Sequence, residues 1–132
     1  MSTDNPSDLL YTKEHEWARR QGDGNVIAIG ITQFAVEQLG DITMVELPSA
    51  GDTVTKGQVF GSIESVKAVS DLFAPITGKV TAVNTELDSV PESVNDAPYE
   101  AGWLIDIEIE KTDEVAELMS PESYAAFVAE QD

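Results

Sequence analysis

Between positions 51 and 83, apolar residues, many of them β-branched, come in short runs broken by glycines and other turn formers. Val54, Val59, Phe60 and Ile63 stand before Lys67, and Val69, Leu72, Phe73, Ile76, Val80 and Val83 follow it. Short strands separated by turns predict a sandwich or barrel. A glycine opens Gly51-Asp52-Thr53-Val54 before the lysine and Gly78-Lys79-Val80-Thr81 after it. This faint echo predicts two similar half-sheets meeting at a hairpin that carries Lys67.

The flanking segments fit the same β-rich frame. Residues 9–12 and 16–21 read as short strands, and the turn signal Gly22-Asp23-Gly24-Asn25 leads into a strand over 26–31. Thr32 is suited to cap a short helix, with Phe34, Ala35, Gln38 and Leu39 near helical spacing and Gly40 as its stop. Residues 42–47 read as a strand closed by Pro48, and 84–102, rich in Asn, Asp, Pro and Gly, as a long irregular connection. From Trp103 to Glu110 apolar and acidic residues alternate, the pattern of a half-buried strand. A short helix is predicted over 114–119, and Ser120-Pro121-Glu122-Ser123 opens a last helix running to about residue 130. Residues 1–8 read as a loose tail, which leaves one domain over 9–132 with a helical segment at about 114–131.

Composition removes several function classes. The chain of 132 residues carries 25 acidic and 7 basic residues, a formal net charge of −18. Nucleic-acid binding needs clustered Lys and Arg, and an anionic membrane repels this charge. A solvated surface accounts for most of the acids. An acidic face that steers docking onto basic-rimmed enzymes, or a salt-rich habitat, are the other readings. There is no cysteine, hence no disulfide, thiolate metal site or thiol nucleophile. That fits a reducing compartment. No apolar run reaches membrane-spanning length, and residues 1–8 have neither a basic nor an apolar leader region. A bacterial-type cytoplasmic protein is expected, or one of the mitochondrial matrix if the chain is eukaryotic.

Lys67 lies in the run Gly61-Ser62-Ile63-Glu64-Ser65-Val66-Lys67-Ala68-Val69-Ser70-Asp71, between two predicted strands. A lysine so placed is presented rather than packed, which suits a covalently attached group and a carrier. An isolated turn lysine is ordinarily just solubilising. A Schiff-base nucleophile would need a desolvated lysine of lowered pKa, which an exposed tip lacks. His15, the only histidine, has no Ser, Cys or metal partner at a telling spacing, so a structural role near Trp17 is expected. Trp17 and Trp103 read as core or cleft walls. Neither a phosphate-cradling glycine loop nor a His or Cys metal cluster is present in the sequence.

The segment from Glu64 to Asp71 resembles the lipoyl-attachment segment of the H-proteins of the glycine cleavage system. The resemblance extends to Glu14-His15-Glu16-Trp17, and to Gly30-Ile31-Thr32 with Gln38-Leu39-Gly40-Asp41 and Val45-Glu46-Leu47-Pro48. It also covers residues 84–87, Asn95, Pro98-Tyr99 and Gly102-Trp103-Leu104-Ile105. Gly51, 16 residues before Lys67, and Gly78, 11 after it, match the glycine spacing of lipoyl and biotinyl domains generally.

The resemblance implies a mainly β, lipoyl/biotinyl-type barrel-sandwich hybrid with a short internal helix and C-terminal helices. It implies lipoic acid in amide linkage to Lys67, Glu64 as a recognition point for the modifying enzyme, and Glu16 and Asp71 lining a cleft for the aminomethyl-loaded arm. Glu14 stands where family members often have Ser. The implied partners are a PLP-dependent glycine decarboxylase, a tetrahydrofolate-dependent aminomethyltransferase, dihydrolipoyl dehydrogenase, and a lipoate ligase or octanoyl transferase, around a monomeric carrier with no catalytic machinery of its own. A relay that hands lipoyl groups to other complexes shares the fold. A biotin carrier would have Met on both sides of its lysine, where this chain has Val66 and Ala68.

Overall fold

The computed structural model describes residues 9–21, 25–109 and 113–131. The predicted tail over 1–8 and most of the predicted turn at 22–25 lie outside them. Nine strands are described: β1 (Leu10–Tyr11), β2 (Glu16–Gln21), β3 (Val26–Ile31), β4 (Ile42–Glu46), β5 (Thr53–Val54), β6 (Val59–Ser65), β7 (Val69–Phe73), β8 (Gly78–Val83) and β9 (Ile105–Ile109). Four helices accompany them: α1 (Gln33–Leu39), α2 (Ser93–Asp96), α3 (Asp113–Ala116) and α4 (Pro121–Gln131).

The strands form two antiparallel sheets. One has the order β1-β2-β3-β9-β8-β5, the other β4-β6-β7. Ile29, Ile31, Ile63, Leu72, Ile76, Val80, Ile105 and Ile107 share one buried cluster with residues from both sheets. Leu9, Tyr11, Trp17 and Ala28 form a second cluster with Tyr124 and Val128 of α4. Successive strand residues face opposite ways, so Ile27 and Ile29 look toward one cluster and Ala28 toward the other. The middle of the large sheet is therefore covered on both sides.

Local chemistry explains the helix ends. Thr32 Oγ1 accepts from Ala35 N at 3.3 Å, and Gly40 closes α1 at φ 78°. Ser120 Oγ accepts from Ser123 N at 3.1 Å ahead of Pro121, the first residue of α4.

The echo turns out differently from expectation. Its two segments are partners within one sheet: β5 pairs with β8, Thr53 opposite Lys79 and Val54 opposite Gly78. The Lys67 hairpin, β6–β7, belongs to the other sheet. Gly78 is required by close approach: a Cβ there would lie 2.5 Å from both Glu108 O and Ile107 Cγ2. The predicted irregular connection contains a 3-10 turn at Thr85–Asp88 and the single turn of α2. Asn84, nearly buried, donates to Ala101 O at 2.8 Å and Trp103 O at 2.7 Å and so ties the connection's far end to its start.

Gly30 sits against the fully buried Trp17 indole, where an added Cβ would overlap the ring. Gly30→Ala is expected to destabilise the fold by about 3 kcal/mol through overpacking. A lower denaturant midpoint at unchanged slope would show it.

Candidate functional site

Lys67 stands at the tip of the β6–β7 hairpin, exposed together with its neighbours Val66 and Ala68. Ser65 N donates to Ala68 O at 2.8 Å, leaving Val66 and Lys67 as the two turn residues. Neither has positive φ, so the turn belongs to neither of the primed types that match strand twist. It is held by other means. Ser65 Oγ accepts from Lys67 N at 3.2 Å and from Ala68 N at 3.1 Å. Val66 N donates to Asp41 O, between α1 and β4, at 3.0 Å. The lysine stem lies over Gly40, where a Cβ would be 3.4 Å from Lys67 Cε and 3.7 Å from Cδ.

Met44, Glu64 and Val69 are paired across β4, β6 and β7 and point to one face. Met44 is 43% exposed, and Val66 and Val69 are each 67% exposed. An apolar rim thus flanks the lysine, with Glu64 in its middle. The next row on that face is Glu46, Ser62 and Asp71.

Glu16 and Asp71 have contrasting settings. Asp71 is exposed on β7. Glu16 is 1% exposed and faces the space between the sheets, on the same side of β2 as the core residue Ala18. Its Oε2 accepts from Phe73 N at 2.9 Å, and Thr12 Oγ1 donates to its Oε1 at 3.2 Å. Burial pushes the carboxyl up to about 8, Glu14 pushes the same way, and the two donors pull back. Burial of Glu16 thus favours its neutral form, and the side chain is docked on the edge strand β7. A pocket of about 220 Å³ opens nearby, its lining including Thr12, Glu14, Gly57, Ala74 and Met119.

The structure thus brings Lys67, Glu64 and Asp71 onto one hairpin and sets Glu16 against the end of β7 away from the lysine. Sequence reasoning took Glu16 for either a solvated or a cleft acid and did not anticipate its burial. It also missed Met44 and gave no role to Asn95.

His15, expected to have a structural role near Trp17, contacts residues of α1 and α4. It adopts φ 68°, shares a 2.8 Å hydrogen bond through Nδ1 with Tyr124 Oη, and packs on Phe34 and Phe127. Tyr124 Oη in turn lies 2.7 Å from Thr32 Oγ1, which links α4 to the cap of α1. Burial lowers the His15 pKa and raises that of Tyr124. Trp17 donates to Pro98 O at 3.0 Å. Among the described residues no group of three or more His, Cys, Asp or Glu side chains is arranged to hold a metal ion, and no helix is long and apolar enough to cross a membrane.

Known proteins resemble the chain in both sequence and fold. The family described as glycine cleavage H-protein matches residues 9–131. The chain is 55% identical over 127 residues to the glycine cleavage system H protein of Anaeromyxobacter sp. (strain K), covering 96% of this chain and 98% of that one. It is 58% identical over 120 residues to the corresponding protein of Listeria innocua serovar 6a, covering 90% and 94%. The crystal structure of a glycine cleavage system H protein from Mycobacterium marinum superposes with a TM-score of 0.83 at 36% identity, covering 95% of this chain and 99% of that one. The chain belongs to the glycine cleavage H-protein family, whose members are carrier components of the glycine cleavage system rather than enzymes.

Proposed function

We propose that the chain carries lipoic acid in amide linkage on Lys67. In this reading it passes the aminomethyl carbon of glycine from a PLP-dependent decarboxylase to a tetrahydrofolate-dependent aminomethyltransferase, and dihydrolipoyl dehydrogenase then restores the carrier. The observation that carries this reading is an exposed lysine at the tip of a hairpin, in a chain of this family. The residues fit the group: Lys67 is exposed at the hairpin tip, which leaves its amine accessible to a modifying enzyme. When bound, the lipoyl group supplies a disulfide that accepts a one-carbon unit and reducing equivalents.

The chain's own residues supply reach, recognition and a resting place. Glu64, between Met44 and Val69, gives the modifying ligase or octanoyl transferase a charged mark in an apolar rim. An arm rooted at Lys67 that lies back along β7 passes Asp71 and reaches the end where Glu16 docks on Phe73. A cationic load arriving there favours the ionised carboxyl of Glu16, so docking releases its proton. We place the carrier in the bacterial cytoplasm, working as a monomer.

Reconstitution tests the reading. The chain, lipoylated with lipoate, ATP and a ligase, is mixed with decarboxylase, glycine and labelled bicarbonate. Label is expected to enter glycine only with the lipoylated chain. A lipoylated chain that supports no exchange with an active decarboxylase overturns the proposal.

A further inference from the structure

We propose that Asn95 is a positioning residue for Lys67, an inference that rests on the lipoyl-carrier reading above. Asn95 lies in α2, far from the hairpin in sequence, and its side-chain hydrogen bonds go to neither Val66 nor Lys67. The side chain instead brackets Asp41. Nδ2 donates to Gly40 O at 2.8 Å, and Oδ1 accepts from Ile42 N at 2.8 Å. Both ends of one planar amide thus fix the backbone on either side of Asp41.

That backbone is what the lysine turn rests on. Asp41 O receives Val66 N, and Gly40 lies under the lysine methylenes. The support is needed because the turn has no positive-φ residue to match the twist of its strands. It is also needed because β4 and β6 fall out of register between Ile42 and Met44, beside the tip. Asn95 itself stands on a fixed base. Val94 is fully buried in the core, and Gly102 packs so closely that a Cβ there would lie 2.7 Å from Ser93 O and 2.8 Å from Val94 Cα. The chain of contacts therefore runs from the core through α2 and Asn95 to the backbone around Asp41, and from there to the hairpin.

A modifying enzyme binds the turn in one pose. Loosening the turn lowers the fraction of molecules in that pose and raises the apparent KM for the carrier, leaving kcat unchanged. A lost hydrogen bond of ordinary strength corresponds to roughly a tenfold effect.

The test uses the full, unlipoylated chain with lipoate, ATP and a lipoate ligase, read by intact mass over a range of carrier concentrations. Backbone amide exchange is measured in parallel. Asn95→Ala is expected to raise KM about tenfold at unchanged kcat. It is expected to speed exchange at Val66 while Ile107 exchanges as in the wild type. Asn95→Asp keeps the acceptor for Ile42 N but sets a carboxylate oxygen against Gly40 O, so it is expected to raise KM and speed Val66 exchange at least as much, and it serves as the test if the alanine variant does not fold. Unchanged KM and unchanged Val66 exchange overturn the role. So does a uniform rise in exchange at Val66 and Ile107 together, which would make Asn95 a general stabiliser. A wild type that takes up no lipoyl group from an active ligase overturns the carrier reading itself, a result separable from the others because it needs no variant.

Discussion

Lys67→Arg is expected to keep its unmodified mass after incubation with lipoate, ATP and a lipoate ligase, while the wild type gains a single lipoyl increment. Arginine preserves the positive charge and much of the stem. Its guanidinium is delocalised and always protonated, so it offers no free amine to acylate. Lys67 is exposed at a turn, so its replacement is expected to change stability by no more than about 0.5 kcal/mol. The loss of modification is then all or none, without loss of fold. An increment on the arginine variant, or on neither chain, would return Lys67 to the ranks of ordinary surface lysines.

The second large effect concerns Glu16. Its carboxyl is pushed from an ordinary 4.5 up to about 8, chiefly by burial. Below pH 4.5 the group is protonated in both folded and unfolded chains, and its contribution to stability is fully present. As pH rises toward 8 the unfolded chain ionises while the folded chain resists, and that contribution is lost. The loss amounts to about 5 kcal/mol, since each tenfold difference in proton affinity between the two states is worth about 1.4 kcal/mol. Glu16→Gln removes the titration and keeps the shape, with an oxygen for Phe73 N. The other acidic residues are common to both proteins and cancel in the comparison. The variant is therefore expected to gain on the wild type by several kcal/mol between pH 4.5 and pH 8, measured by denaturant unfolding at a series of pH values. A difference that stays flat over this range would mean that Glu16 is ionised in the fold at neutral pH.

Local patterns carried much of the fold. The alternation after Trp103 becomes β9, and the Thr32 and Gly40 signals bound α1 where they stand in the sequence. These features are readable because each depends on residues within one turn or one strand. The run from Val26 to Ile31 needs more. Nearly all of it is buried because two cores press on β3 from opposite sides, and no local period announces that. The helical turns after Asn84 were not legible either, since side-chain hydrogen bonds to distant carbonyls hold that connection together.

The site shows the same division. The exposed place of Lys67 between two strands could be read from its neighbours. The burial of Glu16 could not, because the strand that covers it, β7, lies 57 residues away along the chain. Asn95 stood among the matching residues without a role, and its partners Gly40 and Ile42 are 55 and 53 residues distant. Signals of this kind are contacts, and a single sequence records them only as isolated letters.

β7 is the outer strand of a three-stranded sheet, and an outer strand with open N–H groups is a template onto which a second chain can add its own strand. Here the Phe73 N–H is already taken by the Glu16 carboxyl, and Asp71 projects from the same strand. Two copies approaching edge to edge would bring their exposed Asp71 side chains together in a chain that already carries a net charge of −18. The outer strand of the β6–β7 hairpin is thereby defended against joining its own kind into a growing sheet.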